Sequence, residues 1–365
     1  MAKYIYQHKN WTNFTWDYSK IAILLGEVRN LQGKLSGTMN ALGFSLKSEA
    51  MLETLTLDIM KSSEIEGEKL NRKQVRSSIA RRLGIETGGL IFVSRDVEGV
   101  VEMLLDATQN YTRDLSEDRL FGWHSALFPS GRSGMYKIEV GKYRTGEMRV
   151  VSGVLGNEKV HFEAVPAKNV AVEMDKFMHW MNEKSQVDAV LKAAIAHLWF
   201  VTIHPFDDGN GRIARAISDM LLARSDGSSQ RFYSMSNQIL KERKKYYLAL
   251  EKAQYGDSDI TLWLNWFLSC LKSSLMNTEA VLKTVFRKAD FWEKHKNTQL
   301  NERQRFIINK QLDNFYGKLT SSKWAKMTKI STDTALRDIK DLIEKGILQQ
   351  DEAGGRSTNY ELIAE

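Results

Sequence analysis

The run His204-Pro205-Phe206-Asp207-Asp208-Gly209-Asn210-Gly211-Arg212-Ile213-Ala214-Arg215 concentrates reactive side chains within twelve residues. A histidine can take a proton near neutral pH. Asp208 is a hard oxygen ligand suited to Mg²⁺. The glycines let backbone approach a phosphate closely, and Arg212 and Arg215 can each fork onto phosphate oxygens. Together these residue types predict a site that holds a magnesium-bound polyphosphate while a hydroxyl attacks it.

Such residues need two helices to hold them. The apolar run from Ala189 to Ile203 predicts a buried helix. Pro205 lacks an N–H and restricts the residue before it, so that helix should end near His204. Asp207 to Gly211 is a turn cluster. From about Gly211 the spacing Ile213, Ile217, Met220, Leu221 predicts a second helix. Its N-terminus, with unpaired N–H groups and the positive end of the dipole, attracts anions. Arg212 and Arg215 fall near one face of its first turn.

At these positions the chain resembles the Fic family, whose signature is His-x-Phe-x-Asp/Glu-Gly-Asn-Gly-Arg-x-x-Arg. Most Fic proteins transfer AMP from ATP to a Ser, Thr or Tyr hydroxyl of another protein, so the resemblance implies a protein adenylyltransferase. It further implies that His204 is the base, Asp208 the Mg²⁺ ligand, and Gly209, Asn210 and Gly211 the nest around the α- and β-phosphates. Arg212 would hold the β-phosphate and Arg215 the γ-phosphate, with Phe206 a core anchor. Downstream, Tyr246, Tyr247 and Gln254 fall where the family places nucleoside contacts; an aromatic ring can cover adenine and an amide can read its edge. Some members carry Asn at the position of Gln254.

Upstream, Ser62-Ser63-Glu64-Ile65-Glu66-Gly67 resembles the family's inhibitory signature, Ser/Thr-x-x-x-Glu-Gly/Asn. By itself this pattern reads as a solvated helix face with a glycine near its end. Beside the full signature it implies autoinhibition: Glu66 would pair with Arg215 in place of the γ-phosphate.

Composition sets the frame. The chain has 365 residues, three prolines, one cysteine and a formal charge of +7. That length suffices for two or three domains. The expected class is mainly α: a Fic helical core with a β-hairpin flap, an N-terminal helical domain and a C-terminal winged helix. Cys270 cannot form an intrachain disulfide, which fits a reducing cytoplasm. With no apolar signal core and no long uncharged apolar run, the expectation is a cytoplasmic protein without membrane partners. Residues 61–82 and 224–252 each hold seven Lys/Arg against three Asp/Glu, so the positive charge flanks the motifs instead of forming a tail. Two solvated helix faces account for this, or a field that draws polyphosphate.

Four blocks follow: an N-terminal helical domain (1–95), the Fic core (96–272), a polar connecting helix (273–300) and a winged-helix-like domain (301–365). Within the core, Gly141-Lys142-Tyr143-Arg144 precedes β-branched residues from Val150 to Val165, with Leu155-Gly156-Asn157-Glu158 as a hairpin turn. In Fic proteins a flap here pairs with the target backbone. His124, His161 and His197 read as packing or hydrogen-bonding histidines. In the last block, Ser322–Met327 and Ser331–Lys345 read as helices, and Gly354-Gly355-Arg356-Ser357 as a wing. Residues 331–345 carry three basic and four acidic side chains. A phosphate-binding face needs more cations, so protein contact or homodimerisation is favoured over DNA. The alternatives to AMP transfer are AMP removal by a water that Glu66 positions, and a nucleotide-sensing DNA-binding regulator.

Overall fold

The computed structural model describes residues 2–42, 44–85, 91–154, 157–312, 317–351 and 358–363. It divides into two compact units, Met1–Thr278 and Glu279–Glu365. In the first unit the order is α1 (Tyr18–Asn40), α2 (Phe44–Ile65), α3 (Arg72–Arg82), α4 (Arg95–Gln109), α5 (Glu117–Leu127), β1 (Arg132–Ser133), β2 (Tyr136–Lys137), β3 (Arg149–Val154), β4 (Asn157–Glu163) and α6 (Val170–Asn182). It continues with α7 (Ala189–Ile203), α8 (Asn210–Asp226), α9 (Met235–Lys241), α10 (Arg243–Tyr255) and α11 (Thr261–Met276). The fold is mainly α, with strands confined to small antiparallel pairs.

The core is built around α7. Every residue from Val190 to Ile203 is buried, so this helix is apolar on all sides because it has neighbours on all sides. Asp188 caps its start by accepting from Val190 N at 2.8 Å. α8 packs back along it, and α4 lies against α8 and α5. The α4–α5 contact is close because Gly99 has no side chain: a methyl there would sit 1.7 Å from the Ala126 carbonyl oxygen.

The segment 1–95, read above as a domain of its own, shares this unit. α1 lies along α11, and α2 packs on α9, α3, α4 and α8. Buried Trp11 and partly buried Phe14 make edge-to-face contact with Trp199 at 5.8 and 5.6 Å. Asp58 of α2 is buried and accepts from Ser234 Oγ at 2.6 Å and Ser236 N at 3.1 Å. α2 is therefore anchored one turn before the Ser62–Glu66 motif.

β3 and β4 form the hairpin expected between Val150 and Val165, with Val154 opposite Asn157 and a bulge between Val150 and Val151. Its expected turn residues Leu155 and Gly156 lie outside the described residues. Tyr4 packs edge-on to Phe162 at 5.0 Å, which backs the hairpin with the N-terminal segment.

The second unit comprises α12 (Thr278–Lys294), α13 (Glu302–Leu312), α14 (Ser321–Thr328), α15 (Thr332–Glu344) and the antiparallel pair β5 (Leu348–Gln350) and β6 (Tyr360–Leu362). Ser331 caps α15 by accepting from Thr334 N at 3.2 Å. The polar helix read as a connector instead places Phe291 and Trp292 on this unit's apolar cluster, with Ile307, Trp324 and Leu342. Asp338 of α15 is buried and accepts from both Nε and Nη2 of Arg303, at 2.8 and 3.0 Å. Asp341 holds Lys345 at 2.6 Å. Two of the carboxylates of α15 thus serve the unit's own packing. The wing residues 354–357 lie outside the described residues. Among the described residues no helix is long and apolar enough to cross a membrane.

Replacing Gly99 by Ala should lower the melting temperature, with an overpacking cost of about 1–3 kcal/mol. Gly122→Ala, in the interior of α5 with open space at its Cβ, should raise stability by about 0.5–1 kcal/mol. Calorimetry of the two variants checks both signs; a neutral Gly99→Ala would refute the close contact.

Candidate active site

Pro205 ends α7 where the sequence requires, and His204 becomes its C-cap at φ 53°, ψ 61°. A left-handed residue other than glycine is strained, and such strain gathers at functional sites. Here it turns the imidazole onto a cavity of about 740 Å³, within the range of nucleotide pockets. His204 Nδ1 lies 3.2 Å from the Val201 carbonyl oxygen, so Nδ1 carries the proton and Nε2 keeps its lone pair. Burial pushes the imidazole below the ordinary histidine range, and Arg144 adds to this, while the Val201 carbonyl, Glu66 and Asp208 pull the other way.

The loop after His204 is braced by its own side chains. Asn210 is buried; its Oδ1 accepts from Phe206 N at 3.0 Å and its Nδ2 donates to Phe206 O at 2.7 Å. Its contribution to the expected phosphate nest is therefore its backbone N–H. Phe206 is fully buried and stacks on His124 at 4.2 Å. Gly141 N donates to His124 Nδ1 at 3.1 Å, so His124 Nε2–H is the donor to the Asp208 carbonyl at 3.2 Å. Burial pushes His124 down to about 4, which keeps this tautomer neutral.

α8 then begins at Asn210, after Gly209 at φ 80°. A Cβ at Gly209 would lie 2.9 Å from the Phe128 ring, so both the conformation and the space demand glycine. Ile213 N makes the first intrahelical bond, to Gly209 O at 3.0 Å. The N–H groups of Asn210, Gly211 and Arg212 thus open the helix as an anion site.

A carboxylate sits at that site. A Cβ on Gly211 would be 2.2 Å from Glu66 Oε1, and the same oxygen is 2.8 Å from Arg215 Nη2. Arg215 is 2% exposed and also donates from Nε to Ser62 Oγ and from Nη2 to Ser62 O, each at 2.9 Å. Burial works against its charge, and Glu66 together with Tyr246 and Tyr247 more than offsets that, so the guanidinium is held above its ordinary value. Glu68, which the sequence reading missed, meets Arg212 Nη1 at 2.6 Å, and Arg212 lies over the Phe128 ring at 5.1 Å. Gly67, at φ 88°, caps α2 and separates the two carboxylates. Arg243 completes the clamp by donating from Nε to Ile65 O at 2.9 Å.

Of the residues singled out in the sequence, Glu66, His204, Asp208, Gly209, Asn210, Gly211, Tyr247 and Gln254 line the cavity. Arg212, Arg215 and Ser62 are buried behind it. Among the described residues Arg212 Nε and Arg215 Nη1 are nevertheless buried donors without a partner, the kind of residual demand an anion would meet. Tyr246 also borders the cavity but is buried, with its hydroxyl on His197 Nε2 at 2.8 Å. That bond ties α10 to α7 and leaves Tyr247, stacked under Arg243 at 5.2 Å, as the aromatic face at the cavity. Asp208 accepts from Gly209 N at 2.6 Å and from Ser133 Oγ. Among the described residues no group of three or more His, Cys, Asp or Glu could hold a metal. Asp208 by itself offers one carboxylate, so a Mg²⁺ held there would need most of its ligands from a bound phosphate and water.

The geometry sets a pH range. Burial lowers the folded imidazole from its ordinary value of 6.5, so His204 favours its neutral form more than a free imidazole does. An NMR titration of the His204 ring, assigned by its loss in His204→Ala, should give a midpoint below 6.5; a higher midpoint would contradict the burial argument.

Parts of this sequence are similar to known proteins. Residues 114–222 match the Fic/DOC family, and residues 4–85 match a family described as a domain of unknown function (DUF4172). The protein adenylyltransferase fic-1 of Caenorhabditis briggsae is 26% identical over 219 residues, 57% of this chain and 38% of that protein. The protein adenylyltransferase Fic of Drosophila virilis is 35% identical over 109 residues, 29% of this chain and 21% of that protein. The chain thus spans well under two thirds of these relatives. A solved Fic family protein from Desulfovibrio desulfuricans shares the fold, with a TM-score of 0.59 at 21% identity over 95% of this chain and 96% of that one. The stretch that matches the Fic/DOC family, residues 114–222, is the one that carries His204, the N-terminus of α8 and both arginines.

Proposed function

We propose that this protein transfers AMP from ATP to a hydroxyl of a target protein, and that residues 62–68 hold the reaction down. The observation that carries this reading is the unprotonated Nε2 of His204, facing a cavity whose anion site at the start of α8 is filled by the Glu66 carboxylate. The adenylyltransferase names of the relatives support the nucleotide.

His204 Nε2 takes the proton of the target hydroxyl as its oxygen bonds to the α-phosphorus. The bond from that phosphorus to the bridging oxygen of the β-phosphate breaks, and pyrophosphate leaves. The N–H groups of Asn210, Gly211 and Arg212 stabilise charge on the phosphates. Asp208 would hold Mg²⁺, which neutralises the leaving pyrophosphate when bound. Tyr247 and Gln254 bound the cavity where adenine would lie. The β3–β4 hairpin supplies the strand edge for the target backbone.

Inhibition follows from competition for two guanidiniums. The γ-phosphate would meet Glu66 at Arg215 and the β-phosphate would meet Glu68 at Arg212. The domain of unknown function, residues 4–85, is on this reading the inhibitory module. A second reading, removal of AMP, draws on one fact: the Glu66 side chain is 30% exposed and lines the cavity, so it can orient a water. For the C-terminal unit, the internal pairing of Asp338 and Asp341 supports a protein-contact or dimerisation role over a DNA-binding one.

ATP labelled in the α-phosphate, incubated with cell lysate and each variant, tests the scheme. Glu66→Gly should raise label transfer about tenfold or more, the equivalent of one charge-assisted bond to the γ-phosphate. Glu68→Gln should raise it by a smaller factor, about 2–5, because that pair is partly exposed. His204→Ala in the Glu66→Gly background should lower transfer about 10²–10⁴-fold with ATP affinity nearly kept. Equal transfer by Glu66→Gly and wild type would sink the inhibitory reading. Release of AMP from a pre-labelled target by the wild type would favour the second reading.

A further inference from the structure

Arg144 is 2% exposed, and among the described residues it has no carboxylate within ion-pair distance. A buried cation of this kind must be solvated by dipoles. Its Nε donates to His204 O at 2.7 Å, its Nη1 to Gly146 O at 2.7 Å, and its Nη2 to Val165 O and, at 3.4 Å, to Ile203 O. Its own backbone N–H donates to Pro205 O at 2.9 Å. Ile203 and His204 close α7, so two of these oxygens are carbonyls a helix leaves unpaired, at the negative end of its dipole. Gly146 and Val165 flank the hairpin, just before β3 and just after β4. One guanidinium therefore joins the left-handed turn that carries the imidazole to both ends of the hairpin.

We propose that Arg144 is a positioning residue: its guanidinium holds His204 in the left-handed conformation and fixes the hairpin relative to it, so that a hydroxyl presented on the strand edge lies in register with the base. This rests on reading His204 as the base and the hairpin as the target's docking edge. The planar fork is essential, because an ammonium is a single point that cannot reach carbonyls on two sides at once. None of its contacts involves the α8 N-terminus, so ATP binding is not the step it governs. Two carboxylates lie in its surroundings, Glu147 and Asp207, and neither forms an ion pair with it.

The test compares Arg144→Lys with its parent, both carrying Glu66→Gly. The lysine variant should lose about 10²-fold in kcat, as a misplaced base does, with the Kd for ATP changed by less than about threefold. Hydrogen exchange should quicken at residues 146–165 and 203–206 and stay unchanged at 210–216. The idea is overturned if kcat is retained within about threefold, or if ATP affinity falls as much as kcat. It is equally overturned if exchange quickens throughout the unit or the fold is lost, since Arg144 would then be a general structural residue. If the Glu66→Gly parent transfers no AMP, the functional reading fails, and the exchange contrast alone decides whether Arg144 couples turn and hairpin.

Discussion

The pairing of Arg215 with Glu66 is the interaction on which the site's state depends. A guanidinium at 2% exposure has lost its water, and its countercharge comes from a helix far away in the chain. Removing one partner of such a pair is costly, because the other stays buried and uncompensated; about 3–5 kcal/mol is typical when both are enclosed. Glu66 is partly open to the cavity, so the cost here lies toward the lower end. The same carboxylate also lies against the N-terminus of α8. One group thereby answers a buried cation and a helix dipole together, in the place where a polyphosphate would do so.

The rest of the architecture keeps that carboxylate in place. α2 is fixed by Asp58 on the 234–236 segment, by Ser62 on Arg215 and by Ile65 O on Arg243. On the other side, α7 is enclosed along its whole length, and the loop after it is braced by Asn210, Phe206 and His124.

Much of this was legible in the sequence because the signals are local. The 204–215 run states its helix end, its turn and its helix start in consecutive residues, and the Ser62–Gly67 pattern marks the end of α2 that meets Arg215. What was not legible depends on geometry. Glu68 reaches Arg212 only because Gly67 turns the chain left-handed, and a glutamate two residues past a motif carries no sign of that. Arg144 stands in a run the sequence reading singled out, but its partners are backbone carbonyls, which have no residue signature. The helix 278–294 looked like a connector because charged residues surround Phe291 and Trp292, whose burial depends on neighbours distant in sequence. Tyr246 and Tyr247 are adjacent and chemically identical, and only the position of His197 decides which one faces the cavity.

Gly67 has a wider consequence. It places two negative charges side by side on one short tip, each matched to a buried arginine. If the tip withdraws, the cavity wall is left short of two negative charges at once. Any polyanion of suitable size then acts as a replacement counter-ion, and its concentration becomes part of the protein's stability. On the proposed function, phosphate or sulfate in the buffer would do for an open form some of what ATP would do. On that reading the choice of salt would be a thermodynamic variable, with a larger effect on a form whose tip has withdrawn than on the one described.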